Sequence, residues 1–216
     1  MSNDDGTATR DTKKAQQRQR ILDAARGVFF RDGFMQANLD EVAGLAGVAK
    51  GTLYRYFENK ADLYVAILAE NGQVFEDRMR EAGETEGTAA DRLRAISRFY
   101  YAHWTQHREY FQIFWALENQ NVIGDLPAEL VEDVTELWEQ CLRILETVIR
   151  AGVDAGEFGA CDPWEVANIL WTAANGLIQT ELVAPRRTLR NKPLERVFDD
   201  MVELFVRGLG GSAAPA

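Results

Sequence analysis

Residues 38 to 57, NLDEVAGLAGVAKGTLYRYF, constrain this chain more than any other stretch, because they carry two short helical patterns with a glycine between them. Asn38 is placed to cap the first helix, and Glu41, three positions on, is the other half of a capping box. Leu39, Val42, Ala43 and Ala46 recur on one helical face and are expected to pack inward. Gly47 ends that helix, since glycine takes the left-handed backbone of a sharp turn at little steric cost. In the second helix Val48, Leu53 and Phe57 are the apolar anchors. Lys50, Gly51, Thr52, Tyr54, Arg55 and Tyr56 are left mostly facing outward.

That outward face is cationic, hydroxylated and aromatic, and it begins with small residues. It is the chemistry of a helix-turn-helix whose second helix enters the major groove of duplex DNA. Small side chains at Ala49 and Gly51 let the start of the helix come close to base edges. Lys50 and Arg55 supply donors, while Thr52, Tyr54 and Tyr56 supply hydroxyls for bases or phosphates. A glycine turn and a basic face also occur in other helical hairpins, so this pattern alone leaves the assignment open.

The string AGVAKGTLYRYFENKADL narrows it: it closely resembles the signature of the TetR family of transcriptional repressors. The resemblance spans about residues 18 to 68, with matching positions at Gly33, Phe34, Ala43, Ala46, Gly47, Val48, Lys50, Gly51, Thr52, Leu53, Tyr54, Tyr56, Phe57, Asn59, Lys60 and Leu63. There are three departures. Ala37 and Asn38 stand where the family usually has Thr followed by Thr or Ser, and Ala49 replaces a common Ser. Asn38 still caps and still reaches a phosphate, but Ala37 and Ala49 each remove a hydroxyl contact, so no operator sequence follows. The resemblance implies that Lys60, at the start of the next helix, contacts a phosphate, an arrangement its charge and the helix N-terminus both favour.

A net charge of −10 looks wrong for a DNA binder until it is divided along the chain. Residues 1–60 hold 10 Lys plus Arg against 8 Asp plus Glu, whereas residues 61–216 hold 14 against 26. Only the N-terminal head is electrostatically suited to approach DNA, and the acidic body is held away from it. Cys141 and Cys161 are too few and too isolated for a disulfide framework or a cysteine metal knuckle. The opening MSNDDGTATR is no signal peptide, and no apolar run approaches the roughly 20 residues of a membrane span. A cytoplasmic protein with no membrane partner is expected.

The remaining pattern is all helical, about nine helices in total, with no strand signature and no internal repeat. Residues 1–17 are polar and aperiodic and are expected to form a disordered arm, a solvated tail or a basic arm reaching a minor groove through Arg10, Lys13 and Lys14. A first helix over about 18–31 buries Ile21, Leu22, Ala25, Val28 and Phe29 and stops at Gly33; it completes a helix-turn-helix domain over 18–64. A fourth helix from Asn59 and Lys60 to about Arg80 carries the chain into an effector-binding and dimerisation domain over 65–216. Thr88 with Asp91 resembles a capping box for a fifth helix. An aromatic helix follows around 107–119, then a long amphipathic one over about 127–155. Asp162, Pro163 and Glu165 open a helix reaching Val183, and another begins near Pro193 and ends in glycines. Between these two, PRRTLRNK is a basic loop without an assigned role.

Two adjacent C-terminal helices suggest a homodimer through a four-helix bundle, as the family resemblance implies, with Ala167, Leu170, Ala174, Leu177, Val197, Met201 and Phe205 at the interface. One head reads only a half-site, so two are needed for a palindromic double-stranded operator. Tyr100, His103, Trp104, Phe111, Phe114, Trp115, Glu118, Trp138, Trp171 and Asn175 are the candidates for an effector pocket, since large rings enclose an apolar or aromatic small molecule and the polar groups orient it. For any one of these rings, ordinary core filling is the plainer reading. His103 and His107 share a helical face at metal-ligand spacing, but no third ligand lies nearby, so neither a metal nor a cofactor is expected. Ser occurs only at Ser2, Ser97 and Ser212, and Lys50-Gly51-Thr52 has the wrong order for a phosphate-binding loop, which argues against an enzyme. The function read from the sequence is a ligand-responsive regulator, foremost a repressor. The rivals are a helical ligand-binding or interaction protein that does not bind an operator, and an all-α enzyme.

Overall fold

The computed structural model describes residues 5–117 and 128–210, and every regular element among them is a helix. In chain order these are α1 (Asp5–Gln36), α2 (Leu39–Leu45), α3 (Lys50–Tyr56), α4 (Lys60–Gly83), α5 (Ala89–Gln106), α6 (Arg108–Leu117), α7 (Ala128–Asp154), α8 (Pro163–Leu182), the single turn α9 (Ala184–Arg187) and α10 (Leu194–Gly210). The chain clusters into two compact units, one of residues 1–71 with 109–134 and the other of residues 72–108 with 135–216. The first unit therefore takes in α6 beyond its first residue, which the sequence-based division at residue 64 had left with the C-terminal part.

The first unit is built on α1, whose Ile21, Leu22, Ala25, Val28 and Phe29 are all buried. Gly33 breaks this helix as the sequence requires, at φ 71° and ψ 173°, and one further turn follows. The polar stretch expected to be a disordered arm is helical from Asp5 onward. Ala15, Gln16, Gln17, Arg18 and Gln19 have high intrinsic helix propensity, and an already formed helix is cheap to extend backward. Val42, Ala43 and Ala46 of the α2 region, Leu53 of α3 and Leu63, Ile67 and Leu68 of α4 close the core. Phe29 and Phe34 meet Tyr64 edge-on at 4.9 and 5.0 Å. Each such side chain removed from water contributes about 1.5–3 kcal/mol.

In the second unit α5 and α8 pack together and α10 packs against both. Met79, Leu93, Ile96, Leu145, Ile149, Leu170, Ile178, Phe198 and Val202 are buried. The helix starts follow the sequence closely. Thr88 and Asp91 form a reciprocal capping box, and Asp162 accepts from the Trp164 and Glu165 amides at 3.0 and 3.3 Å. The loop after α7 is tied to its neighbours by the Gly159 amide donating to the Leu209 carbonyl at 2.7 Å and by Glu157 accepting from the Ala89 amide at 2.6 Å.

Candidate nucleic-acid interface and effector site

The outward face of α3 is presented as its residue pattern demands. Leu53 and Phe57 anchor the helix in the core of the first unit, and Gly47, at φ 66°, makes the turn that sets its direction. Ala49, Lys50, Gly51, Tyr54 and Arg55 are exposed, and Thr52 and Tyr56 are half-buried. Nothing lies within 4 Å of the position a Cβ at Gly51 would take, so the surface there is open to an approaching duplex. Asn38 caps α2 by accepting from the Asp40 amide at 2.8 Å. The capping box expected with Glu41 is not made: Glu41 instead accepts from Arg31 at 2.9 Å, because a guanidinium outcompetes a neutral amide for a carboxylate.

Two of the cations are engaged within the chain. Lys50 Nζ lies 2.7 Å from Asp40 Oδ1, and this hydrogen bond, followed by the charge itself, holds the ammonium above its ordinary pKa. Lys60 Nζ donates to the Met35 carbonyl at 3.1 Å and sits 5.1 Å above the Phe34 ring, and partial burial lowers its pKa. Tyr56 donates its hydroxyl to Gln17 Oε1 at 3.0 Å, which gives the helical N-terminal extension a contact with α3. Arg55 makes no ion pair among the described residues. The sequence pattern identified the donors but not their internal competitors: nothing in the spacing of Asp40 and Lys50, on different helices, pairs them.

In the second unit the effector candidates fall into one cluster. Trp171 Nε1 donates to the Tyr100 hydroxyl at 2.7 Å, and that hydroxyl donates to Asn175 Oδ1 at 2.5 Å. Trp138 meets Trp171 edge-on at 6.0 Å, and Trp104 lies 6.0 Å from Tyr100. Phe75, unmarked in the sequence as a pocket residue, packs 4.7 Å from His103 and 5.3 Å from Trp104. The cavity beside Tyr100 and Trp171 holds only about 20 Å³, room for one water, and is walled by Met79, Ile96, Leu145, Leu170 and Phe198. A ligand of ordinary size enters only if these side chains part. A wider groove of about 340 Å³ lies between α4 and α7, with Glu76, Arg80, Gly83, Arg143 and Ile144 in its walls. Its arginines are already paired, Arg80 with Glu76 and Arg143 with Glu139.

Of the other pocket candidates, Phe111 and Phe114, 6.1 Å apart, and half-buried Trp115 belong to the part of α6 in the first unit. Glu118 lies outside the described residues. His103 and His107 have rings 4.9 Å apart, and His103 is pushed down to about 4, first by burial and then by the charges of His107 and Arg78. Among the described residues no group of three His, Cys, Asp or Glu is arranged to hold a metal ion, and no helix is long and apolar enough to cross a membrane.

The interface candidates also divide. Ala167, Leu170 and Ala174 are buried within the second unit and so cannot face a partner, while Leu177, Val197, Met201 and Phe205 are half-buried. The open apolar positions are instead Ile169 on α8 and Leu204 on α10, 55% and 71% exposed. On α8 the exposed face continues through Thr172 and Gly176, with half-buried Ala173 beside them.

Comparison with known proteins agrees with both halves. Residues 21–67 match the family of bacterial regulatory proteins, tetR family, and residues 86–179 match the tetracyclin repressor-like C-terminal domain. The chain is 30% identical over 138 residues to the fatty acid metabolism regulator protein of Bacillus subtilis, covering 63% of this chain and 68% of that one. It is 36% identical over 191 residues to the HTH-type transcriptional regulator TtgR of Pseudomonas putida, covering 82% and 85%. Among solved structures, the transcriptional regulator FadR from Bacillus subtilis in complex with stearoyl-CoA superposes with a TM-score of 0.70 at 24% identity, over 88% of this chain and 98% of that one. With the helix-turn-helix, its exposed basic face and the helical body all in place, the chain belongs to the TetR family of bacterial transcriptional regulators.

Proposed function

We propose that this regulator is a homodimeric repressor that grips a palindromic operator through its two α3 helices and lets go when a small apolar molecule enters the Tyr100 cluster. The observation that carries the reading is the α3 surface: small residues and donors face outward over a buried Leu53, the geometry required for approach to base edges. Lys50, Arg55 and Lys60 contact phosphates or bases, with Asn38, Ala49, Gly51, Thr52, Tyr54 and Tyr56 completing the surface. Residues 18–64 act as the DNA-binding part and residues from 65 onward as the effector and dimerisation part.

A second copy is the occupant proposed for the face formed by Ile169, Ala173, Gly176 and Leu204. Small residues let helices approach closely, and two heads about 34 Å apart engage both half-sites with coupled affinity. The effector reading rests on a core that is aromatic yet contains a hydrogen-bonded polar centre at Tyr100, Trp171 and Asn175. Because the cavity holds only about 20 Å³, the effector selects a body in which these side chains have parted, and α4, which continues from the second unit into residues 60–71 of the first, transmits the change. Operator and effector then oppose each other by about 1–3 kcal/mol, or 5–150-fold in affinity.

Stearoyl-CoA, whose acyl chain supplies the apolar part that would enter the cluster while its charged headgroup stays outside, is the first effector to test, since the B. subtilis regulator of similar fold was solved with it. Fluorescence anisotropy on the duplex upstream of the chain's own gene should give tighter binding than a scrambled duplex at the same salt, weakened 5–150-fold by the effector. Equal binding to both duplexes would remove operator recognition and leave a helical ligand-binding protein.

A further inference from the structure

The basic stretch between α8 and α10 has no part in the operator and effector reading, yet it contains a guanidinium two of whose nitrogens find no acceptor among the described residues. From residue 181 to 196 there are five Lys plus Arg against two Glu, inside a C-terminal region that is otherwise acidic. Most of these cations are ordinary: Arg186 and Arg187 are solvated, and Lys192 pairs with Asp200 at 2.7 Å. Arg190 differs. Its side chain is only 13% exposed, its Nη2 donates to Glu181, and its Nε and Nη1 are buried with no acceptor among the described residues.

A guanidinium carries five N–H donors, one on Nε and two on each Nη. Those on Nε and Nη1 are therefore out of water and unmet, on a group whose positive charge is fixed. Unmet donors on a buried charge cost more than those on a neutral group, unless an anionic oxygen completes them. The surroundings carry the same sign. Glu181 is shared with Arg187 at 4.0 Å, and Tyr101 packs on Phe198 with ring centroids 5.2 Å apart. The Tyr101 phenol is raised first by burial and then by Glu195 and Glu181, against the pull of Arg190 and Arg108, which puts all of these groups in one electrostatic neighbourhood. Three arginines there face two glutamates, an excess of one positive charge.

We propose that Arg190 is the centre of an anion site beyond the C-terminal end of α8, completed by one small oxyanion, a carboxylate or a phosphate, that accepts from Nε or Nη1. Glu181 fixes the guanidinium by its third nitrogen, and Tyr101 and Phe198 supply the adjacent ring surface. Inorganic phosphate and acetate are the probes. Each is titrated at constant ionic strength against the full chain while the thermal midpoint and the ¹⁵N–¹H resonance of the Arg190 Nε are followed. Both readouts should move saturably in the wild type. Arg190→Lys keeps the charge but offers neither Nε nor Nη1, and should raise the half-saturating concentration about tenfold or more. Arg186→Gln, at a solvated position nearby, should leave it within about twofold.

A stabilisation that never saturates and is shared equally by all three proteins is a general salt effect and overturns the site. An Arg190 resonance that responds to protein concentration and not to phosphate or acetate also overturns it, since the acceptor would then come from a second copy. If Arg190→Lys does not fold, the wild-type resonance decides alone: a saturable shift supports the site and an unmoved one removes it. None of these outcomes depends on DNA binding.

Discussion

Three glycines of the body do a job that no described glycine of the head does. In residues 5–71, a Cβ added at Gly27, Gly33, Gly44, Gly47 or Gly51 would meet nothing within 4 Å. In the second unit, a Cβ at Gly72 would come within 2.9 Å of Leu137 Cδ1, and one at Gly152 within 2.3 Å of the Phe158 ring and 2.8 Å of Ala89 Cβ. Head glycines are therefore free of packing duty: Gly33 and Gly47 turn the chain at positive φ, and Gly51 keeps a surface bare for something else to cover. Gly72, Gly83 and Gly152 in the body let side chains pack against the helix backbone, whereas Gly156, Gly176 and Gly208 are as open as the head glycines. Under the proposed function, a surface that reads DNA would be unfinished until the duplex arrives, whereas a core that an effector opens would be packed before it comes.

This contrast is sharpest at Gly152 and Gly51. Gly152→Val overpacks against a buried ring and a backbone-fixed methyl, and should cost about 3 kcal/mol, lowering the thermal midpoint by about 6–12 °C. Gly51→Val should leave the midpoint almost unchanged yet weaken operator binding by about tenfold or more, because the branched side chain keeps α3 away from base edges. If both variants lose stability alike, the head is packed as tightly as the body and the contrast fails.

Smaller effects probe each region separately. His103 in the body has its pKa lowered to about 4 from an ordinary 6.5. The unfolded chain thus binds the extra proton first, and the stability contributed by neutral His103 is full above about pH 6.5 and lost as pH falls toward 4. Because the ring is only partly buried, about 1 kcal/mol is at stake. Between pH 7 and pH 5 the wild-type midpoint should drop about 2–4 °C further than that of His103→Gln; parallel curves would contradict the shift. In the head, Lys50 is paired with Asp40, which would compete with a phosphate for it. Asp40→Asn should tighten binding to any duplex by up to about fivefold, the worth of an exposed ion pair, and weaker binding would mean that Asp40 positions Lys50.

Turns and helix starts in both units could be read directly from their residues, because turns and caps are local. Gly33 and Gly47 take the backbone their positions require, and Thr88 with Asp91 and Asp162 with Pro163 open helices where the sequence places them. Contacts between elements were harder to read. Glu41 was assigned to Asn38 by spacing and is taken by Arg31, and Lys50 is held by an aspartate ten residues away. Which face of the C-terminal helices is buried was hard to read for a different reason. Between Glu165 and Glu181 helix α8 carries no charge, so nothing in its pattern fixes which side turns inward. Alanines at 167 and 174 fill the core, and Ile169 faces out. Of the effector candidates, spacing could not tell that Phe111, Phe114 and Trp115 group with the first unit, since one helix boundary separates them from Trp104.

The central claim is that the head grips DNA through its phosphates, and the salt dependence of operator affinity tests it most directly. Measured with the duplex upstream of the chain's own gene, log affinity should fall steeply and linearly with log salt concentration. Lys60→Ala should weaken all sequences alike and reduce the slope by about one unit for each head engaged. An affinity indifferent to salt, or a Lys60→Ala slope equal to the wild type's, would contradict the account.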